Sequence, residues 1–337
     1  MTVVAVVGAT GAVGAEMLAV LEERAFPVGE LRLLASPRSA GRRITAFGAD
    51  HEVRATEPSS FAGVDLALFS AGAEAARAFA PEARRAGAAV IDNSSAFRRD
   101  ASCTLVVPEI NGDDLDGHRG IHANPNCSTI LLAMLLAPIG RAVGLRRAVV
   151  ATYQAVSGAG TRAVEELRKQ QAADAEGRPP EAAVFPRVLS HNVIPWVQGF
   201  LDDGYTPEET KLRDETRRIL GLSDLAVSAT CVRVPVWRAH SEAVHVETEE
   251  PIGPAEARRA LQAAPGIRVW AGGDFPTPRD VAGTDEVHVG RIRADRAFAP
   301  GLALWGVTDQ LRKGAALNAV QIAERVLGVG AGAGGRT

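Results

Sequence analysis

The chain begins with an apolar run, Thr2-Val3-Val4-Ala5-Val6-Val7, which breaks into glycines at 8, 11 and 14 and continues as a helical stretch over Ala12–Arg24. Strand, glycine turn and helix in that order commit a chain to a parallel sheet covered by helices, because each strand must be followed by a crossover before the next can pair. Glycines at these spacings permit the tight turn and let backbone amides at the helix start approach an anion. In this context Gly8-Ala9-Thr10-Gly11-Ala12-Val13-Gly14 reads as a candidate pyrophosphate loop. A tight strand-to-helix turn without a ligand is the other reading.

The pattern continues for about 120 residues. Leu31–Ala35, Asp65–Ser70 and Ala88–Ile91 read as further buried strands, and Ala73–Arg85 as a second helix. Beyond Cys127 the texture changes. Ala148–Tyr153, Val227–Val236, Ala243–Thr248, Val287–Ile292 and Leu302–Val307 are closer to alternating strands, with helices over Thr161–Ala172, Pro207–Leu220 and Pro254–Ala263. This predicts a second, mixed α+β domain whose sheet rests one face on its own helices. A last helix, Leu311–Val326, is expected to pack back on the first domain. Ala172–Ala183 reads as a mobile surface loop, and the glycine-rich residues 329–337 as a flexible tail.

A chain of 337 residues usually makes two domains or one large one, with ample apolar surface for a core, and a net charge of -3 gives no bulk attraction to nucleic acid or an anionic membrane. The three cysteines, Cys103, Cys127 and Cys231, form neither a disulfide framework nor a zinc pattern, which fits a reducing, cytoplasmic setting. The N-terminal run lacks a basic flank and is cut by Gly8, so it reads as a strand and not as a signal peptide or membrane span. His51, His118, His122, His191, His245 and His288 show no ligand spacing, and no metal is expected.

Asn124-Pro125-Asn126-Cys127-Ser128-Thr129 places a thiol where a loop yields to the helical run Ile130–Leu136. A cysteine at a helix start feels the unpaired amides and the helix dipole, which favour thiolate. Asn126 or Ser128 can cap those amides. A small buried hydrophobe is the alternative for Cys127. At the end of the second strand, Leu33–Arg42 contains no carboxylate to take a ribose 2′-hydroxyl, whereas Ser36, Arg38 and Ser39 can bond a 2′-phosphate. NADP is therefore expected over NAD; an exposed arginine loop is the bland reading.

With these features in order, the chain resembles the aspartate-semialdehyde dehydrogenase family, from the glycine loop to about Glu324. The pieces that carry the resemblance are Asn93–Arg98, Val106–Asn111, Asn124–Thr129, Tyr153–Gly160 and Arg233-Val234-Pro235-Val236 with His240-Ser241-Glu242. One departure is Arg238-Ala239, where a glycine often precedes the histidine. The resemblance implies reduction of β-aspartyl phosphate with NADPH through a thioester on Cys127. It makes His240 the acid/base group, expected to titrate near neutrality, and makes Gln154 the residue that orients the acyl group. It assigns the substrate carboxylate to Arg233, the ammonium to Glu208 and the phosphate to Lys211 and Arg98, with Asn126 as a further substrate-binding residue. Glu209 rivals Glu208 and Arg99 rivals Arg98, each one residue away. Glu208 and Lys211 alone read as a helix-face ion pair. Ser70, Ser157 and Gly158 are expected at the cofactor, and Gln310 at its nicotinamide amide.

The resemblance also implies a Rossmann-type dinucleotide-binding domain from residues 1–126 plus 311–328, and a catalytic, substrate-binding and dimerisation domain from 127–310. A homodimer follows from it. Cys103 and Cys231 match no catalytic motif and read as packing residues. The nearest rival, N-acetyl-γ-glutamyl-phosphate reductase, usually carries glycine-cysteine-tyrosine at the nucleophile, unlike Asn126-Cys127-Ser128. A non-catalytic homologue is a rival of another class; it would be expected to lose some of Cys127, Gln154, Arg233 and His240. Glyceraldehyde-3-phosphate dehydrogenase shares the two-domain plan, but its motifs do not appear.

Overall fold

The computed structural model describes residues 2–118 and 120–329, which fall into two compact units: residues up to Asn126 together with those from Ala315, and Cys127–Gly314. The expected tail lies, from residue 330 on, outside the described residues.

In the first unit the strands are β1 (Thr2–Val7), β2 (Val28–Ala35), β3 (Arg43–Ala46), β4 (Ala49–Ala55), β5 (Leu66–Phe69), β6 (Ala89–Asp92), β7 (Thr104–Leu105) and β8 (Ile121–Ala123). Among the described residues they form one sheet in the order β3-β4-β2-β1-β5-β6-β8-β7, parallel except for the β3–β4 hairpin. Successive β1 residues point to opposite faces, and both faces are covered. Val4 and Val6 pack with Met17, Leu18 and Leu21 of α1 (Ala12–Glu23). Ala5 and Val7 pack with Phe61, Phe69 and the alanines of α2 (Ala73–Arg85). Spacings of three and four put the α1 residues on one stripe, and each fully buried leucine or valine contributes about 1.5–3 kcal/mol. A short helix, α3 (Pro108–Asn111), precedes β8.

In the second unit α4 (Cys127–Val143) is buried from Ser128 through Ala137, and the stretch from Ile130 to Ala137, apolar all round, requires that burial. Around it run β9 (Leu145–Gln154), α5 (Thr161–Ala175), α6 (Pro207–Leu220), β10 (Ala226–Arg233), β11 (His240–Thr248), α7 (Pro254–Gln262), β12 (Ile267–Val269), α8 (Pro278–Val281), β13 (Val287–Ala294) and β14 (Gly301–Thr308). The sheet order is β10-β9-β11-β14-β13-β12. One face carries α4, α6 and α7. The other presents Val149 and Tyr153, both exposed, with Tyr153 against Trp305 at 5.4 Å.

The chain then re-enters the first unit through α9 (Leu317–Leu327), whose Leu317, Val320, Ile322 and Ala323 join the core around Val4 and Val6. The helix expected from Leu311 begins instead as a π-helical turn over Arg312–Ala316. The expected loop over Ala172–Ala183 also differs. Its first four residues complete α5, and Ala183 is tied by its backbone N–H to the buried Glu166 carboxylate at 3.0 Å. Charge and proline content marked the segment as surface, but a helix side chain holds it.

Candidate active site

β1 lies between β2 and β5, so the chain turns one way from it and later the other, and a crevice opens at the carboxyl end of β1. Gly8 stands there with φ +91°, and a Cβ on it would lie 2.8 Å from the Ser70 carbonyl. A Cβ on Gly14 would lie 2.3 Å from the Gly8 carbonyl oxygen. Both positions therefore exclude any side chain. Gly11 is the N-cap of α1 and offers no side-chain cap, and no acidic residue occupies the first turn. Such a helix start, with donors and a positive dipole end, suits a pyrophosphate. At the end of β2, Ser36 and Arg38 are exposed on a 3-10 turn, with Ser39 buried beside them.

The catalytic candidates of the second unit come together on one row of its sheet. Arg233 pairs with Gln154, and His240 with Thr308. The Ser241–Tyr153 pairing continues the register and sets His240 beside Gln154. All three side chains are at least nine-tenths buried and face the helices. Gln154 Nε2 donates to Ser128 Oγ at 2.6 Å and to Glu208 Oε1 at 3.2 Å, which ties the sheet to the first turn of the Cys127 helix. Its Oε1 is buried without a hydrogen-bond partner among the described residues. Cys127 is partly exposed, whereas Cys103 and Cys231 are buried. Burial, with Glu208 nearby, pushes the Cys231 thiol far above its ordinary range, so it is not a nucleophile.

His240 departs from expectation. Burial, with the Arg233 charge second and Glu208 opposing, drives its imidazole from 6.5 down to about 3. The Ala155 backbone N–H donates to Nδ1 at 3.0 Å, so the neutral ring carries its proton on Nε2. A Cβ on Gly158 would lie 3.0 Å from that Nε2 and 3.5 Å from Arg233 Nη1; glycine leaves the space between them open. Arg233 donates from Nη1 to the Ala155 carbonyl at 2.6 Å.

On α6 the two neighbouring glutamates separate. Glu209 accepts from the Thr206 N–H at 2.7 Å, completing a capping box, and from the Cys231 N–H at 2.8 Å. Glu208 faces Gln154 and receives Lys211 Nζ at 3.1 Å. In the first unit Arg98, 8% exposed, donates to the Asn124 carbonyl at 2.8 Å and the Asn93 carbonyl at 2.7 Å. Arg99 is exposed and Asn126 is buried.

Gln310, expected at the nicotinamide amide, also has partners within the protein. Its Oε1 accepts from the Ala239 N–H at 2.8 Å and its Nε2 donates to Ser157 Oγ. Ser157 in turn donates to the Trp237 carbonyl. Gln310 is thus a brace between Ser157 and the turn before His240, through one N–H and one lone pair of its amide. That turn holds Ala239 at φ +72°, a glycine-like conformation that costs about 1–2 kcal/mol for alanine.

Sequence reasoning missed Gly314. A Cβ there would lie 3.0 Å from the Cys127 Cβ, so the π-turn brings bare backbone against the nucleophile. No spacing in the sequence signals this. Among the described residues no group of His, Cys, Asp and Glu gathers as a metal site, and no helix is long and apolar enough to cross a membrane.

Family models match both units: a semialdehyde dehydrogenase NAD binding domain over residues 3–118 and a semialdehyde dehydrogenase dimerisation domain over residues 136–313. An aspartate-semialdehyde dehydrogenase of Aquifex aeolicus is 51% identical over 328 residues, covering 95% of this chain and 96% of the relative. That of Bacillus subtilis is 48% identical, with 95% and 96% covered. A crystal structure of aspartate semialdehyde dehydrogenase II from Vibrio cholerae, complexed with ASA, superposes with a TM-score of 0.95 at 47% identity, covering 98% of this chain and 99% of that one. The glycine cradle, the helix-borne thiol and the buried row beneath it are therefore those of a member of the aspartate-semialdehyde dehydrogenase family.

Proposed function

We propose that the chain reduces L-aspartyl 4-phosphate to L-aspartate 4-semialdehyde with NADPH and releases phosphate, a step toward lysine or diaminopimelate, threonine, methionine and isoleucine. The observation that carries this reading is the joining of Cys127's helix to the Arg233–Gln154–His240 row through Gln154 and Ser128. The Cys127 thiolate attacks the acyl carbon, the bond to phosphate oxygen breaks, and a thioester remains. When bound, the nicotinamide supplies the hydride. Negative charge develops on the acyl oxygen at each addition, and His240 Nε2–H is the donor that meets it. Collapse frees the aldehyde and returns the sulfur.

Arg233 grips the α-carboxylate with its planar fork, Glu208 takes the ammonium, and Lys211 and Arg98 serve the phosphate. Gly8, Thr10, Gly11, Ala12, Val13 and Gly14 cradle the pyrophosphate, and Ser36, Arg38 and Ser39 select the 2′-phosphate. The apolar face around Tyr153 and Trp305 suits a second copy of the chain, giving a cytoplasmic homodimer.

The test is NADPH formation from aspartate semialdehyde, dependent on inorganic phosphate. No signal overturns the reading, and turnover of the N-acetylated glutamyl aldehyde in its place would favour the rival reductase. Equal efficiency with NAD would overturn the choice of NADP.

A further inference from the structure

Between α5 and α6 the chain runs from Glu176 to Thr206 without a helix or a strand. A connection this long in a compact unit is commonly functional or disordered. This one is fastened. Glu166, 7% exposed, accepts the backbone N–H groups of Ala183 at 3.0 Å, of Val184, and of Phe185 at 3.3 Å. Gln170, one helical turn further on, accepts from Leu189 at 2.9 Å and Ser190 at 3.1 Å and donates to the Glu181 carbonyl at 2.8 Å. Gln170 also donates to Glu166 at 3.1 Å, so the two act as one clasp.

The fastened segment reaches two of the three cations assigned to the substrate, Arg233 and Lys211. The Arg233 guanidinium carbon lies 5.8 Å from the Phe185 ring centroid, within cation–π range. Ile194 and Arg233 exchange backbone hydrogen bonds at 2.9 and 2.8 Å. Gln198 Oε1 accepts from Lys211 Nζ at 2.5 Å. A buried guanidinium whose one hydrogen bond among the described residues runs from Nη1 to a carbonyl needs a second constraint to hold its fork in one orientation, and a ring face supplies it without taking a donor. We infer that Glu166 and Gln170 are positioning residues for substrate recognition, acting through the strap over 181–198 that holds Phe185 against Arg233 and Gln198 against Lys211. The inference rests on the proposed assignment of Arg233 to the substrate carboxylate.

The variants are Glu166→Gln, Phe185→Leu and Phe185→Tyr in the full chain. Glu166→Gln exchanges an acceptor-only carboxylate for an amide that cannot accept all three N–H groups. Losing a charge-assisted bond of this kind is expected to raise KM for aspartate semialdehyde about tenfold or more, with kcat and KM for the dinucleotide within about twofold of wild type. Phe185→Leu is expected to give the same split, and Phe185→Tyr, which keeps the ring, to restore wild-type KM. Amide exchange at 183–185 is expected to quicken in Glu166→Gln. Wild-type KM in Glu166→Gln and Phe185→Leu, or a loss confined to kcat, would overturn the inference. If Glu166→Gln fails to fold, the Phe185 pair decides. If wild-type enzyme does not turn over the semialdehyde, the proposed reaction falls; the strap is then judged by exchange at 183–185, and unchanged exchange in Glu166→Gln overturns it.

Discussion

Gly314 and Cys127 define the reacting corner at the scale of single residues. Gly314→Ala would place a methyl 3.0 Å from the Cys127 Cβ, so the nucleophile must shift by a few tenths of an ångström. A shift of that size is expected to lower kcat about tenfold with little effect on folding, since a misplacement of about 1 Å can cost about 100-fold. Cys127→Ala is expected to lower turnover by about 10⁴-fold or more while leaving dinucleotide affinity near wild type, as read by initial rates and a binding titration. Short motifs singled out Cys127, Gln154, Arg233 and His240 as candidates, and the last three meet on one row of the sheet. Their electrostatic state was not legible there, because it depends on burial. His240 is held neutral by its burial and by Arg233, and its imidazole signals are expected to stay constant in an NMR titration between pH 5 and 8.

Elements show how neighbouring residues of one type acquire different roles. Glu209 closes the capping box of α6 and binds the β10 backbone, so Glu209→Ala is expected to lose about 1–2 kcal/mol of stability, seen as a lower Tm. Glu208→Gln is expected to raise substrate KM with a smaller change in Tm. Helix phase alone could not divide the pair, since both lie at the start of α6; the α6–β10 packing does.

On β11, Glu242 lies one row below His240, paired with Thr152 and Gly306, with both carboxyl oxygens buried and without a hydrogen-bond partner among the described residues. Desolvation raises its carboxyl well above the ordinary range, so the folded chain keeps a proton that the unfolded chain releases above about pH 4.5. The unfolded state then binds fewer protons, and stability falls as pH rises through that window. Glu242→Gln removes the titration, so its Tm advantage over wild type is expected to grow as pH rises from 5 to 8. A constant difference would show that Glu242 is ionised in the fold.

At the scale of the whole molecule, the proposed dimer makes a separate demand. Tyr153→Asp on the open sheet face is expected to give a monomer in sedimentation velocity, because a charge would be buried against an apolar partner surface. A wild-type monomer would remove the reason for that face. The parallel sheet, the second sheet resting on its own helices and the return of the last helix were all legible, because burial imposes period 2 on strands and period 3.6 on helices. The strands β3, β4, β7 and β8 were not: β7 and β8 have only two and three residues, and β3 (Arg43-Ile44-Thr45-Ala46) and β4 (Ala49-Asp50-His51-Glu52-Val53-Arg54-Ala55) carry too few large apolar residues to mark a buried face.

What the sequence determined by itself was local and repetitive: the strand–glycine–helix start, the thiol at a helix start, and the apolar stripes. These follow from sterics and hydrophobic pattern within a few turns of chain. Only the tertiary structure decided which glutamate caps and which faces Gln154, that Gln310 is a brace, that Gly314 lies against the thiol, and that residues 181–198 form a strap. Each of those depends on contacts between segments far apart in the chain, where a side chain's partner and its burial, and hence its charge, are set by packing.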